Sequence, residues 1–133
     1  MQPKILISAI LLTLAVVLPI NAQVIQTFTA EAVNQQAALS WRSGVETSVS
    51  QFRIQRSFDG ERFYQIASVL PEGSNHIYSY TDSDLFKDRI NTYYYRIEVV
   101  KESGPDEYSR TARVTMISSG ITRTWGSIKA MFR

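Results

Sequence analysis

The sequence predicts an all-β domain: a seven-stranded antiparallel sandwich behind an N-terminal export signal. Three observations predict it. Short runs of alternating apolar and polar residues recur along the chain. Clusters of turn-forming residues separate them. No window after residue 22 keeps a long 3.6-residue period.

The runs read as follows. TFTAEA (27–32) is a modest first strand. AALSWRS (37–43) places Leu39 and Trp41 on one side and Ser40 and Arg42 on the other. SQFRIQRS (50–57) turns Phe52 and Ile54 inward and Gln51, Arg53 and Gln55 outward. RFYQIASVL (62–70) is irregular, because Phe63, Ile66 and Val69 share a face only if the strand is bulged. HIYSYTD (76–82) puts Tyr78 and Tyr80 together. NTYYYRIEVV (91–100) and EYSRTARVTM (107–116) complete the set. Asp59-Gly60 is a strong hairpin signal, since both residues tolerate positive φ. LPEGSN (70–75) and ESGPDE (102–107) are turn chemistry throughout.

The chain has 133 residues, 20% of them charged and 44% hydrophobic, which suits one globular domain. Residues 1–22 read as a secretory signal: a basic start at Lys4, an apolar run from Ile5 to Leu18, and small Ala22 at the end. The run is shorter than the roughly 20 residues of a spanning helix. The alternative is an uncleaved anchor, and Ile20 is larger than the usual residue at that point of a cleavage site. The expected location is secreted, either periplasmic or extracellular at the cell surface. No cysteine is present, so disulfides, thiolate chemistry and a lipoprotein anchor are excluded. Such an exported domain needs a real hydrophobic core. The domain is expected over 24–117 and a basic tail over 118–133, where Arg123, Lys129 and Arg133 meet no acid.

These residues resemble a fibronectin type III domain of the kind found in secreted bacterial proteins. LSW (39–41) matches the second strand, whose Trp fills the core, and FRIQRSFDGERF (52–63) resembles the third strand and its hairpin. YTDSDL (80–85) is similar to the stretch leading to a Leu that plugs the bend before the sixth strand. NTYYYRIEVV and EYSRTARV look like the sixth and seventh strands. The first strand lacks the family's usual proline, and SDLFKDRIN lacks the common Pro-Gly. The resemblance implies sheets of three and four strands and a mostly non-catalytic role. It also implies that Tyr93 ties its hydroxyl to backbone near Leu85 or Phe86. The expected core is Leu39, Trp41, Phe52, Ile54, Tyr80, Leu85, Tyr93, Tyr95 and Ile97.

Strand parity splits the three tyrosines. Tyr93, Tyr95, Ile97 and Val99 share the inner face, and Tyr94, Arg96 and Glu98 the outer one. With Arg53 on the third strand and Thr111 and Arg113 on the seventh, Tyr94 and Arg96 form the candidate interaction face. Its charge suits an anionic protein or glycan. The competing reading is a solvated face closed by cross-strand Arg–Glu pairs.

Catalysis finds no support, since His76 is the only histidine and no nucleophile motif surrounds a serine. Asp82, Asp84 and Asp88 lie close together, but Phe86 and Lys87 stand where a calcium loop needs a ligand and a glycine. No cofactor or metal is expected. Nucleic acid is not expected either, because the body is slightly acidic and a single outward aromatic makes no stacking platform. Membrane contact is limited to the signal segment or to the tail, where Trp125, Ile128 and Phe132 fit one face of a short helix interrupted by Gly126. The function expected is a secreted, non-catalytic module for protein or glycan interaction. The alternative is a structural spacer, or a remnant of a larger secreted protein, with no site of its own.

Overall fold

The structure, a computed structural model, describes residues 23–85 and 91–116. The signal segment, Phe86, Lys87, Asp88 and the tail lie outside the described residues. The elements are β1 (Ile25–Val33), β2 (Gln36–Ser43), β3 (Val49–Ser57), β4 (Tyr64–Val69), β5 (Ile77–Asp82), β6 (Thr92–Lys101), β7 (Glu107–Tyr108) and β8 (Ala112–Thr115). They form two antiparallel sheets. One has the order β1-β2-β5; the other has the order β4-β3-β6, with β7 and β8 both on the far side of β6. This is the expected sandwich, with two corrections.

First, the seventh strand is two strands. Glu98 pairs with Tyr108, but Tyr95 pairs with Ala112, so the ladder carries an extra residue between them. Ser109 fills the break: its N–H donates to Ile97 O at 2.8 Å, and its Oγ accepts from Ile97 N at 2.8 Å. A hydroxyl thus replaces a ladder carbonyl, which satisfies β6 without continuous pairing. Second, Asp59-Gly60 does not form a two-residue turn. Only Gly60 has positive φ there (80°), and the connection between β3 and β4 spans residues 58–63. The Asp59 carboxylate instead accepts from Glu61 N, Arg62 N and Ser57 Oγ. The tight hairpin lies between β1 and β2, where Asn34 and Gln35 both take positive φ, 51° and 60°. The expected bulge in β4 is present: Ile54 pairs with Ala67 and Gln55 with Gln65, leaving Ile66 as the extra residue.

The core lies between the sheets. Leu39, Trp41, Phe52, Ile54, Leu85, Tyr93, Tyr95 and Ile97 are buried, together with Phe28, Tyr78 and Val99. Tyr80 is only partly buried and packs against this cluster from the end of β5. Trp41 stacks on Tyr78, with ring centroids 5.2 Å apart and planes 11° apart, and Phe52 leans on both rings. Tyr93 is fully buried, its ring edge-on to Phe58 at 6.0 Å. The expected tie of Tyr93 toward Phe86 falls partly outside the described residues.

Two polar ties cross this apolar interior. At one end, Asp82 of β5 is 2% exposed. It accepts from Tyr95 Oη at 2.8 Å and from Arg56 Nη1 at 2.8 and 3.0 Å. Arg56 also donates to Asp84 O. The carboxylate belongs to one sheet and both its partners to the other, so this tie locks the layers together. At the opposite end, Tyr78 Oη donates to Glu46 at 2.6 Å and accepts from Glu72 N, while Glu46 also accepts from Gly73 N. That tie joins the loop between β2 and β3 to the loop that leads into β5.

Removing one partner of a buried charge pair leaves the other desolvated and unpaired. Asp82→Ala is therefore expected to lower unfolding free energy by about 3–5 kcal/mol, measured by urea denaturation. Alkaline pH tests the second tie. Burial first, and then the hydrogen bond to Glu46, push Tyr78 up from 10.0 to about 12. Burial and then Asp82 push Tyr95 up as well. In the unfolded chain these phenols lose their protons first, so the unfolded state binds fewer protons and stability falls as pH rises above about 10. Melting temperatures taken from pH 8 to 12 are expected to drop across that window, and less steeply in Tyr78→Phe. An unchanged slope in that variant rules out Tyr78 as a source of the loss.

Candidate interaction face

The outer face of the five-stranded sheet is set by register. Arg53 stands opposite Glu98, and Gln55 opposite Arg96. Tyr94 stands between Ser57 and Arg113, and Tyr108 opposite Glu98. Inner partners Phe52, Ile54, Tyr95, Ile97 and Val114 are buried, which sends these alternate residues outward.

Arg96 is the centre of this face. Its guanidinium carbon lies 4.0 Å from the Phe63 ring centroid and 4.3 Å from that of Tyr108. Its Nε donates to Gln55 Oε1 at 2.6 Å. Two aromatic rings thus pack against one planar cation, and a hydrogen bond fixes its rotation. Among the described residues, no carboxylate lies within ion-pair distance of Arg96.

Glu98 is largely spoken for. It accepts from Gln55 Nε2 at 2.9 Å and faces Arg53 Nη1 at 3.8 Å. Burial first, and then Asp106, push its carboxyl above the usual carboxylate range, more than Arg53 pulls it down. Tyr94 is not a free platform. It is half-buried, and a Cβ built on Gly60 would sit 3.5 Å from its ring, so the 58–63 connection lies over it. Arg113 is exposed on β8, and Thr111 sits exposed in the break before it.

Phe63 and Tyr108 were not among the residues expected here. Phe63 lies just before the bulged β4, where parity gives no direction. Tyr108 faces outward because of the extra residue after it; unbroken alternation from Arg113 would have turned it inward. Tyr108 is 50% exposed, making it the one well-exposed aromatic on this face among the described residues.

Other features belong to structure. Between the edges of the two sheets, a shallow groove of about 340 Å³ runs along Thr29–Glu31 and Arg110–Arg113. Arg110 is used there: its Nε and Nη2 donate to Phe28 O at 3.2 and 2.7 Å, covering an edge carbonyl of β1. Burial alone would raise Glu107, but Lys101 at 2.6 Å and the Val24 N–H hold it below its ordinary range. His76 pairs with Glu72 at 2.7 Å on the surface and packs against Tyr78. Among the described residues no group of three or more His, Cys, Asp or Glu side chains could hold a metal ion. Asp82, once considered with Asp84 and Asp88, is committed to Arg56 and Tyr95. Among the described residues no helix is long and apolar enough to cross a membrane.

No family model and no curated protein matches the chain. Among solved structures it is similar to a Fn3-like protein from Clostridium thermocellum, at 21% identity and a TM-score of 0.51, over 69% of this chain and 90% of that one. It is also similar to pectate lyase Pel3 from Pectobacterium carotovorum, at 16% identity and a TM-score of 0.51, over 70% of this chain but only 28% of that one. These likenesses show a fibronectin type III-like fold.

Proposed function

We propose that this chain is a secreted, non-catalytic fibronectin type III-like module that holds a protein or glycan partner at the cell surface through the outer face of its five-stranded sheet. One observation carries the reading: Arg96 packs against Phe63 and Tyr108 and is fixed by Gln55, with no carboxylate among the described residues to neutralise it. A cation ordered in advance spends little entropy on binding. The likeness to part of a pectate lyase supports an accessory role beside polymers, since the chain matches a minor share of that enzyme's length.

The spacer reading has its own support. Gln55 and Arg53 already satisfy Glu98, as a face complete without a ligand would require. Capture separates the two. The exported chain is immobilised and challenged with isolated cell-envelope material, alongside a variant carrying Arg53→Gln and Arg113→Gln, which removes both charges without placing a second carboxylate opposite Glu98. Both positions are at least partly exposed, so thermal melts of the two proteins are expected to agree closely. Retention is expected to fall at least tenfold in the variant. Equal retention by both proteins supports the spacer.

A further inference from the structure

We propose that Arg53, Arg96 and Arg113 form one carboxylate-receiving row, and that its ligand is an acidic polysaccharide carrying uronate groups. The inference rests on the reading of this face as an interaction surface. Register supplies the row. Arg53 lies opposite Glu98; Arg96 stands two residues along β6; Arg113 lies opposite Tyr94, two residues further. The three arginines therefore run diagonally across β3, β6 and β8. Strand spacing and rise place successive positions roughly 8 Å apart. A row of regularly spaced cations suits a polymer with regularly spaced anions better than a single charged group.

Arg96 shows what each position can accept. The rings of Phe63 and Tyr108 pack against its guanidinium, and Gln55 takes Nε. What remains is the edge bearing the two Nη nitrogens, for which no described residue supplies an acceptor. Two parallel N–H donors on a planar edge match the two oxygens of a carboxylate. Arg113 has no carboxylate partner among the described residues, and Arg53 holds Glu98 only loosely at 3.8 Å.

The flanking groups favour a sugar over an acidic peptide. Tyr108, 50% exposed, and Phe63, partly exposed, lie directly beside the cation, and their surface turned away from it offers apolar area to the C–H faces of a pyranose. Peptide carboxylates hang on flexible stems, and each loses rotamer freedom when it is fixed. A uronate carboxylate is attached to the ring itself, so a rigid row of donors meets a rigid row of acceptors.

The test measures binding of the exported chain to de-esterified polygalacturonate by calorimetry. Fully methyl-esterified polygalacturonate and polyglutamate serve as comparison polymers. The expected result is binding that weakens with added salt, is at least tenfold weaker for the ester, and is weaker still for polyglutamate. Arg113→Ala, at an exposed edge position, is expected to weaken it at least threefold. Arg96→Lys, which keeps the charge but loses the planar edge, is expected to weaken it at least tenfold, with its melting temperature recorded beside the parent's. If Arg96→Lys fails to fold, Arg113→Ala decides alone. Equal binding of the ester, tighter binding of polyglutamate, or no binding of polygalacturonate each overturns the proposal. If polygalacturonate fails while envelope capture still depends on Arg53 and Arg113, only the ligand class is wrong. If both fail, the face itself is not a binding surface.

Discussion

Two sheets held only by apolar contact can slide or splay, because the hydrophobic effect has no direction. Asp82 supplies the missing direction. Its carboxylate is buried on one sheet and receives donors from Tyr95 and Arg56 on the other. An ionised carboxylate in that position is tolerable only with these partners in place, so the layers have one relative position that satisfies it. The loop after β5 is drawn in as well, through Arg56 and Asp84 O. At the other end, Tyr78 and Glu46 fix the loops in the same way. The apolar middle, with Trp41 stacked on Tyr78, supplies the bulk of the driving force between these two fixed ends.

Strand β6 connects that framework to the surface. Its inward residues, Tyr93, Tyr95, Ile97 and Val99, are all fully buried. With the backbone fixed from inside, the intervening side chains have defined positions outside. Arg96 gains its order from this arrangement and from neighbours on three other segments: Gln55 on β3, Phe63 before β4, and Tyr108 on β7. The irregularities serve the same end. The break at Ser109 turns Tyr108 toward Arg96 and frees Arg110 to cover the open edge of β1. The bulge at Ile66 lies in the strand that follows Phe63. Bulges re-aim side chains, and here they gather aromatic rings around one cation.

Strand positions and the division of the three tyrosines were legible in the sequence because period-two alternation is a local signal. Trp41, Phe52, Ile54 and Ile97 announced themselves in that way. The tie at Asp82 was not legible: Tyr95 read as an apolar core residue, and Asp82 as one of three acids lying close together. Their pairing is a contact between sheets that no local pattern encodes. The outer face was half legible. Arg53, Arg96 and Arg113 followed from parity, and register places them on one diagonal. Tyr94 was over-weighted, since the 58–63 connection lies over it. Phe63 and Tyr108 were missed because one sits beside a bulge and the other beside a break, where parity changes sign. A serine within a short final strand, with polar residues after it, was the one signal that could have suggested the break.

The central claim is that Asp82 and Tyr95 act as one unit across the two layers. A double-mutant cycle of Asp82→Asn and Tyr95→Phe, followed by urea denaturation, tests it directly. The single variants and the double variant are compared with the parent chain. The account predicts a coupling of about 1 kcal/mol or more, as expected for groups that share one buried hydrogen bond. Losses that simply add, within about 0.3 kcal/mol, would contradict it.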